Sequence, residues 1–168
     1  MNYTVRKSSI QGSGVFAARD FTSGELIGSA KGEVVGPFGA LMAFARRRER
    51  YSDVMQVSPW RWSLPLDNDL GRYVNHSCAP TAAVVRGLDV VALADLPCGE
   101  EITIDYATTM WPTIATRVWR MRCSCGHIGC RKRIGHLFTL PPDVFERFVG
   151  GRLLPGYMLE RLDRRRRR

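Results

Sequence analysis

The sequence predicts a mostly β domain with a few short helices, followed by a cysteine-rich segment and a basic tail. Three observations predict it. Short apolar runs alternate with glycine- and proline-rich turns through about residue 110. Three cysteines then crowd between Cys123 and Cys130, and five consecutive arginines, Arg164–Arg168, close the chain.

Taken in order, Tyr3–Lys7, Gly14–Ala18 and Glu25–Ala30 read as brief strands, with Gly12, Gly14 and Gly24 as punctuation. Gly36-Pro37 opens a helix over 38–48, with proline in its first turn and Phe38, Leu41, Met42 and Ala45 on one stripe. Val54–Val57, Trp60–Leu64, Ala82–Arg86, Leu88–Leu93 and Glu101–Asp105 read as further strands, and Asp95–Gly99 as a turn. Pro142–Val149 is a short helix closed by Gly150-Gly151. Arg164–Arg168 is expected to be a disordered tail, because five like charges repel and resist burial.

A chain of 168 residues with 45% hydrophobic content is one domain with a small appendage and ample material for a core. No apolar run is long enough to span a membrane. The start, Met1–Lys7, lacks an apolar segment, so no secretory signal is expected and the cytoplasm of a bacterial cell is the expected location. The alternatives are a nucleus or delivery into a host, with the terminal arginines as a nuclear-type signal. The net charge of +9 invites a nucleic-acid reading, but five of those charges sit on Arg164–Arg168 and a further net three on Arg46–Arg50. The body is therefore nearly neutral. The two clusters are candidate contacts for an acidic partner or nucleic acid. The excess of arginine, 22 against 3 lysines, reads most simply as codon bias.

Four short stretches could carry chemistry. Cys123, Cys125 and Cys130 form C-x-C-x4-C, close enough to face one ion; a structural zinc needs a fourth ligand, either nearby His127 or the distant Cys78. Asn75-His76-Ser77 follows an apolar pair and either binds a ligand or caps a loop. The alternating run Glu100–Tyr106 ends in Asp105-Tyr106, leaving a phenol where a strand meets a loop. Gly12-Ser13-Gly14 is a weak signal for backbone approach to a ligand.

In this order, Gly12–Phe16, Arg72–Cys78, Gly99–Tyr106 and the C-x-C-x4-C segment closely resemble the SET-domain protein lysine methyltransferases with a post-SET zinc segment, over about residues 3–135. The resemblance implies small curved β-sheets with a pseudoknot around Asn75. It divides the chain into a SET domain over 1–115, a post-SET segment over 116–135 and a C-terminal part over 136–168. It implies S-adenosylmethionine as methyl donor, held by Gly12, Ser13, Gly14, Arg72, Asn75, His76 and Tyr106, with Tyr106 also catalytic. Trp119 either covers the cofactor or lysine channel or is a core aromatic. Cys78, Cys123, Cys125 and Cys130 become the four ligands of a structural zinc, which leaves Cys98 over. The implied substrate is a protein lysine. The alternative reading is a zinc-stabilised nucleic-acid-binding module or a partner-binding module without catalysis.

Overall fold

In the computed structural model, residues 1–46, 54–67, 69–113 and 121–167 are described. Strand β10 (Glu101–Ile104) organises the domain. Its first half pairs antiparallel with β2 (Ser13–Ala17), Ile102 opposite Val15, and β2 pairs in turn with β1 (Tyr3–Lys7). Its second half pairs in parallel with β7 (Asn75–His76), Thr103 opposite Asn75 and Ile104 opposite His76. Val15, Ile102 and Ile104 are completely buried, so the strand is fixed by apolar burial on its core face.

Two more three-stranded sheets complete the β domain. One has the order β3-β9-β8, from Leu26–Ser29, Asp89–Ala92 and Ala82–Val84; the other has the order β4-β6-β5, from Gly32–Val35, Arg61–Pro65 and Met55–Ser58. The expected strands are all present within a few residues. Thr81, just before β8, ties that strand to β10: its hydroxyl donates to the Glu101 carbonyl at 3.0 Å and accepts the Thr103 N–H at 2.9 Å.

Helix α1 spans Pro37–Arg46. Its expected apolar stripe departs at Phe38, which is 74% exposed, while Ala40 is buried. Of the Arg46–Arg50 cluster, 47–50 lie outside the described residues. The short helix α2 (Leu70–Tyr73) is capped by the Asp69 side chain, which accepts the Gly71 N–H at 2.7 Å.

The C-terminal region corrects the expectation of a disordered tail. Helix α3 (Pro142–Gly150) is followed by α4 (Gly156–Arg166), which carries Arg164, Arg165 and Arg166 in its last turn. Sequence repulsion among the arginines is outweighed by two effects. Met158, Leu159 and Leu162 are buried in a second apolar cluster with Trp111, Leu137, Phe148 and Leu154. The cations also sit at the helix C-terminus, where the peptide dipoles favour positive charge. The stop after α3 differs as well. Gly151 keeps right-handed backbone, and the left-handed position falls on Arg152, with φ of 55°. Arg152 N–H bonds the Val149 carbonyl at 3.1 Å and Leu153 N–H the Phe148 carbonyl at 2.8 Å, a Schellman-type ending without glycine at its left-handed residue.

Candidate active site and metal centre

Because β10 borders β2 on one side and β7 on the other, it brings the glycine turn and Asn75-His76 together. Asn75 is buried, and its amide nitrogen donates to the Ser13 and Gln11 carbonyls, both at 3.2 Å, and to Glu101 Oε1 at 2.8 Å. The Glu101 carboxyl also accepts the Ser8 hydroxyl at 2.7 and 2.9 Å. Asn75 thus shapes the turn at Gly12-Ser13-Gly14. Gly14 is required there: a Cβ would lie 2.3 Å from Glu101 Oε1. At Gly12, with φ of 52°, a Cβ would meet nothing within 4 Å. The turn is therefore open at Gly12, which leaves room for a small ligand against the backbone there.

At the end of β10, Asp105 caps a 3-10 turn over Tyr106–Thr109 by accepting the Ala107 N–H at 3.1 Å. The turn buries the Tyr106 ring and sends its hydroxyl to the Val74 carbonyl, to which it donates at 2.7 Å. The Tyr106 and His76 rings are 5.3 Å apart. The Tyr106 N–H donates to His76 Nδ1 at 3.2 Å, so the imidazole proton belongs on Nε2, which faces Cys78 Sγ at 3.4 Å. Burial pushes the imidazole down to about 4, opposed by Asp105 and assisted by Arg131, so His76 is neutral at pH 7. Both of its ring nitrogens are engaged inside the protein.

Arg72 ends α2, where its guanidinium pairs with Asp67, one helix end from the Asn75-His76 pair. Trp119 lies outside the described residues.

Cys78 leaves the end of β7, while Cys123, Cys125 and Cys130 occupy the loop between β11 (Met121–Arg122) and β12 (Arg133–Ile134). The four sulfurs lie within 4.8 Å of one another, and Cys78 and Cys123 are 3.7 Å apart. A tetrahedral zinc with Zn–S near 2.3 Å sets its sulfurs about 3.8 Å apart. The donor set therefore fits the ion. Backbone N–H groups approach these sulfurs, from Cys125 to Cys123 at 3.5 Å, Arg131 to Cys78 at 3.4 Å and Lys132 to Cys130 at 3.4 Å. Burial pushes the Cys78 and Cys123 thiols up; burial opposes ionisation of Cys125 too, but N–H groups of Cys78 and His127 and the neighbouring thiols bring it down to about 7. His127, the local alternative as fourth ligand, is exposed and instead caps the loop by accepting the Gly129 N–H at 3.0 Å. Cys98 is exposed and apart from the cluster.

Two residues here were not singled out by sequence reasoning. Arg131 reaches under the site and donates to Asp105 Oδ1 at 2.7 Å. Gln56 of β5 is fully buried and accepts the Trp111 N–H at 2.6 Å and the Tyr157 hydroxyl at 3.2 Å, joining the β4-β6-β5 sheet to the segment after Tyr106 and to α4. The signal for Arg131 was legible in principle, since a buried aspartate needs a donor; Gln56 left none.

Comparison with known proteins gives this geometry a context. A family model described as SET domain matches residues 12–107, more than half of the chain. A variant-silencing SET domain-containing protein of Plasmodium falciparum is 33% identical over 122 residues, covering 61% of this chain and 5% of that protein. The histone-lysine N-methyltransferase trithorax of Drosophila virilis is 27% identical over 143 residues, 76% of this chain and 3% of its own length. A histone-lysine N-methyltransferase of Candida glabrata, H3 lysine-36 specific, is 27% identical over 157 residues, 86% of this chain and 22% of its own. The chain thus spans a small part of each of these relatives.

Proposed function

This chain belongs to the SET-domain family, and from that premise we propose that it transfers methyl groups from S-adenosylmethionine to the side-chain amine of a lysine in a protein. The observation that carries the proposal is the convergence of the glycine turn, Asn75 and the fixed phenol of Tyr106 around β10. The names of the relatives, histone-lysine N-methyltransferases among them, support the same reaction.

S-adenosylmethionine, when bound, supplies an electrophilic methyl group on a sulfonium. The chain's own residues have three tasks. Gly12, Ser13 and Gly14 offer backbone to the cofactor, in a shape that Asn75 maintains. Arg72, at the end of α2, and Trp119 are assigned to cofactor contact on the family resemblance. Tyr106 positions the incoming amine. With its hydroxyl proton donated to the Val74 carbonyl, it is an orienting group rather than a base. A free lysine is only about one part in 2,500 neutral at pH 7. Apolar surroundings such as Val74, Ile104 and Ala107, all buried beside Tyr106, disfavour the ammonium and return the proton to solvent before transfer. Holding the amine in line contributes roughly 7–11 kcal/mol in well-oriented systems. Zinc at Cys78, Cys123, Cys125 and Cys130 is structural, because four sulfurs leave no open position.

The protein substrate is histone-like in the sense that the matched relatives act on histones by name. Arg164, Arg166 and Arg167, exposed at the end of α4, form the contact for an acidic or nucleic-acid partner beside the substrate.

Incubation with methyl-labelled cofactor and a panel of histones and ribosomal proteins tests the reaction. Label is expected on lysine. Tyr106→Phe should retain cofactor affinity by calorimetry while methyl transfer falls about a hundredfold or more. Cofactor binding without label on any lysine of the panel, or full turnover by Tyr106→Phe, would contradict the assignment.

A further inference from the structure

Asp105 is fully buried, and its Oδ1 is a shared acceptor. It takes the Ala107 N–H that caps the Tyr106 turn and, at 2.7 Å, Nη2 of Arg131. His76 Nδ1 lies 3.6 Å from the same oxygen, but that imidazole is neutral and already accepts the Tyr106 N–H. Arg131 is anchored from the other direction. It follows Cys130, and its own N–H donates to Cys78 Sγ.

From this arrangement we infer that Arg131 is a positioning residue for methyl transfer, setting Tyr106 through Asp105. The inference rests on the function proposed above.

The chemistry of the contact argues for orientation over adhesion. Among the described residues, Nε and Nη1 of Arg131 are buried without a partner, as is Asp105 Oδ2. The guanidinium meets the carboxyl through one nitrogen rather than with two parallel bonds, and it also faces the Cys78 sulfur. That contact pins the one oxygen that also caps the turn. Tyr106 is the first residue of that turn, and its hydroxyl reaches back to Val74 on the β7 side. Rotation of the Asp105 carboxyl therefore shifts the Ala107 N–H, and with it the turn that carries the phenol. Errors of this size in the placement of a reacting group are large in rate terms, since a displacement near 1 Å costs about a hundredfold.

The test uses the full chain with its metal. Arg131→Lys keeps the charge and loses the reach of Nη2; Asp105→Asn removes the acceptor charge. Four quantities are read: zinc per chain, affinity for the unreactive product S-adenosylhomocysteine, the amide resonances of Tyr106 and Ala107, and kcat with KM for an unmethylated lysine peptide from a protein that the panel labels. Arg131→Lys is expected to keep its zinc and its affinity, to shift both amides, and to lower kcat about tenfold to a hundredfold with KM unchanged. Arg131→Ala added to Asp105→Asn should lower kcat no further than Asp105→Asn alone. Unmoved amides with unchanged kcat in Arg131→Lys would overturn the inference, and so would a fall in kcat that tracks loss of zinc, which marks a loop staple. Should Arg131→Lys fail to fold, the uncharged pair Arg131→Gln with Asp105→Asn gives the same readings. The amide shifts need no turnover, so full activity in Tyr106→Phe removes the functional reading and leaves the link from Arg131 to the Tyr106 turn separately measured.

Discussion

Arg165 holds its guanidinium 5.1 Å from the ring centroid of Trp111, and Arg161 sits over the same indole at 4.9 Å. Trp111 is almost wholly buried, five residues beyond Tyr106 in the chain. The last helix is thereby packed onto the segment that leaves the Tyr106 turn.

Removing Arg164–Arg168 should therefore be felt as a loss of stability. The Arg165 contacts with Trp111 and Phe138 are lost while Arg161 stays over the indole, and about 0.5–1 kcal/mol should be lost in urea unfolding. Removing all of α4 takes away the buried Met158, Leu159 and Leu162, each worth about 1.5–3 kcal/mol, and uncovers Trp111, Leu137 and Phe148, so the shortened chain should not fold cooperatively. A full-length midpoint in either truncation would show that α4 is dispensable to the core.

The metal cluster makes a stoichiometric prediction. Elemental analysis should find one zinc per chain, and Cys78→Ser should abolish it, although that residue is far from the other three ligands in sequence. Chelation should expose β11 and β12 to protease, because strands of two residues cannot hold themselves together. Zinc retained in Cys78→Ser would show that His127 or another group completes the site.

Gly14→Ala tests the carboxyl behind the glycine turn. The added methyl would meet the Glu101 side chain at 2.3 and 2.9 Å and Ser8 Cβ at 3.0 Å. Glu101 must swing away, releasing Ser8 and Asn75. A destabilisation of about 1–3 kcal/mol is expected in thermal unfolding, with weakened cofactor binding by calorimetry. Shortening Glu101 in the same chain should recover part of the stability. If it recovers none, the clash lies elsewhere.

Arg152→Gly should stabilise the protein. The left-handed backbone after α3 costs a side chain about 1 kcal/mol that glycine avoids. The ion pair to Asp163 that would be lost is exposed and 3.6 Å long, a weak counterweight. A raised unfolding midpoint is the expected result, and a lowered one would mean that the pair outweighs the backbone strain.

Most of the longer strands were legible because each carries its own signal: Tyr3–Lys7 and Glu101–Ile104 alternate, and turns bound them, whereas Gly32–Val35 and the two-residue strands Asn75–His76, Met121–Arg122 and Arg133–Ile134 were not read. The metal set was legible from cysteine spacing together with family resemblance, which supplied Cys78. What failed to show in the sequence were relationships carried by a partner far along the chain. Arg164–Arg168 read as repelling charge because nothing nearby announces that Met158, Leu159 and Leu162 meet Trp111 and Leu137. The left-handed residue after α3 read as glycine and proved to be Arg152, since packing of Leu153 against the helix end set the register. The seat of the His76 ring, between a backbone amide and a sulfur, also had no local signal.

The parallel match of Asn75-His76 with Thr103-Ile104 also bears on folding. Between the partners lie β8 and β9, an antiparallel pair with a short connection. β10 itself must join a strand near the start of the chain and one near its middle. Such long-range closure slows folding towards the millisecond-to-second range, which stopped-flow refolding would register. The glycine turn, held by Asn75 and through it by Glu101, is therefore complete only once both of these distant strands are paired.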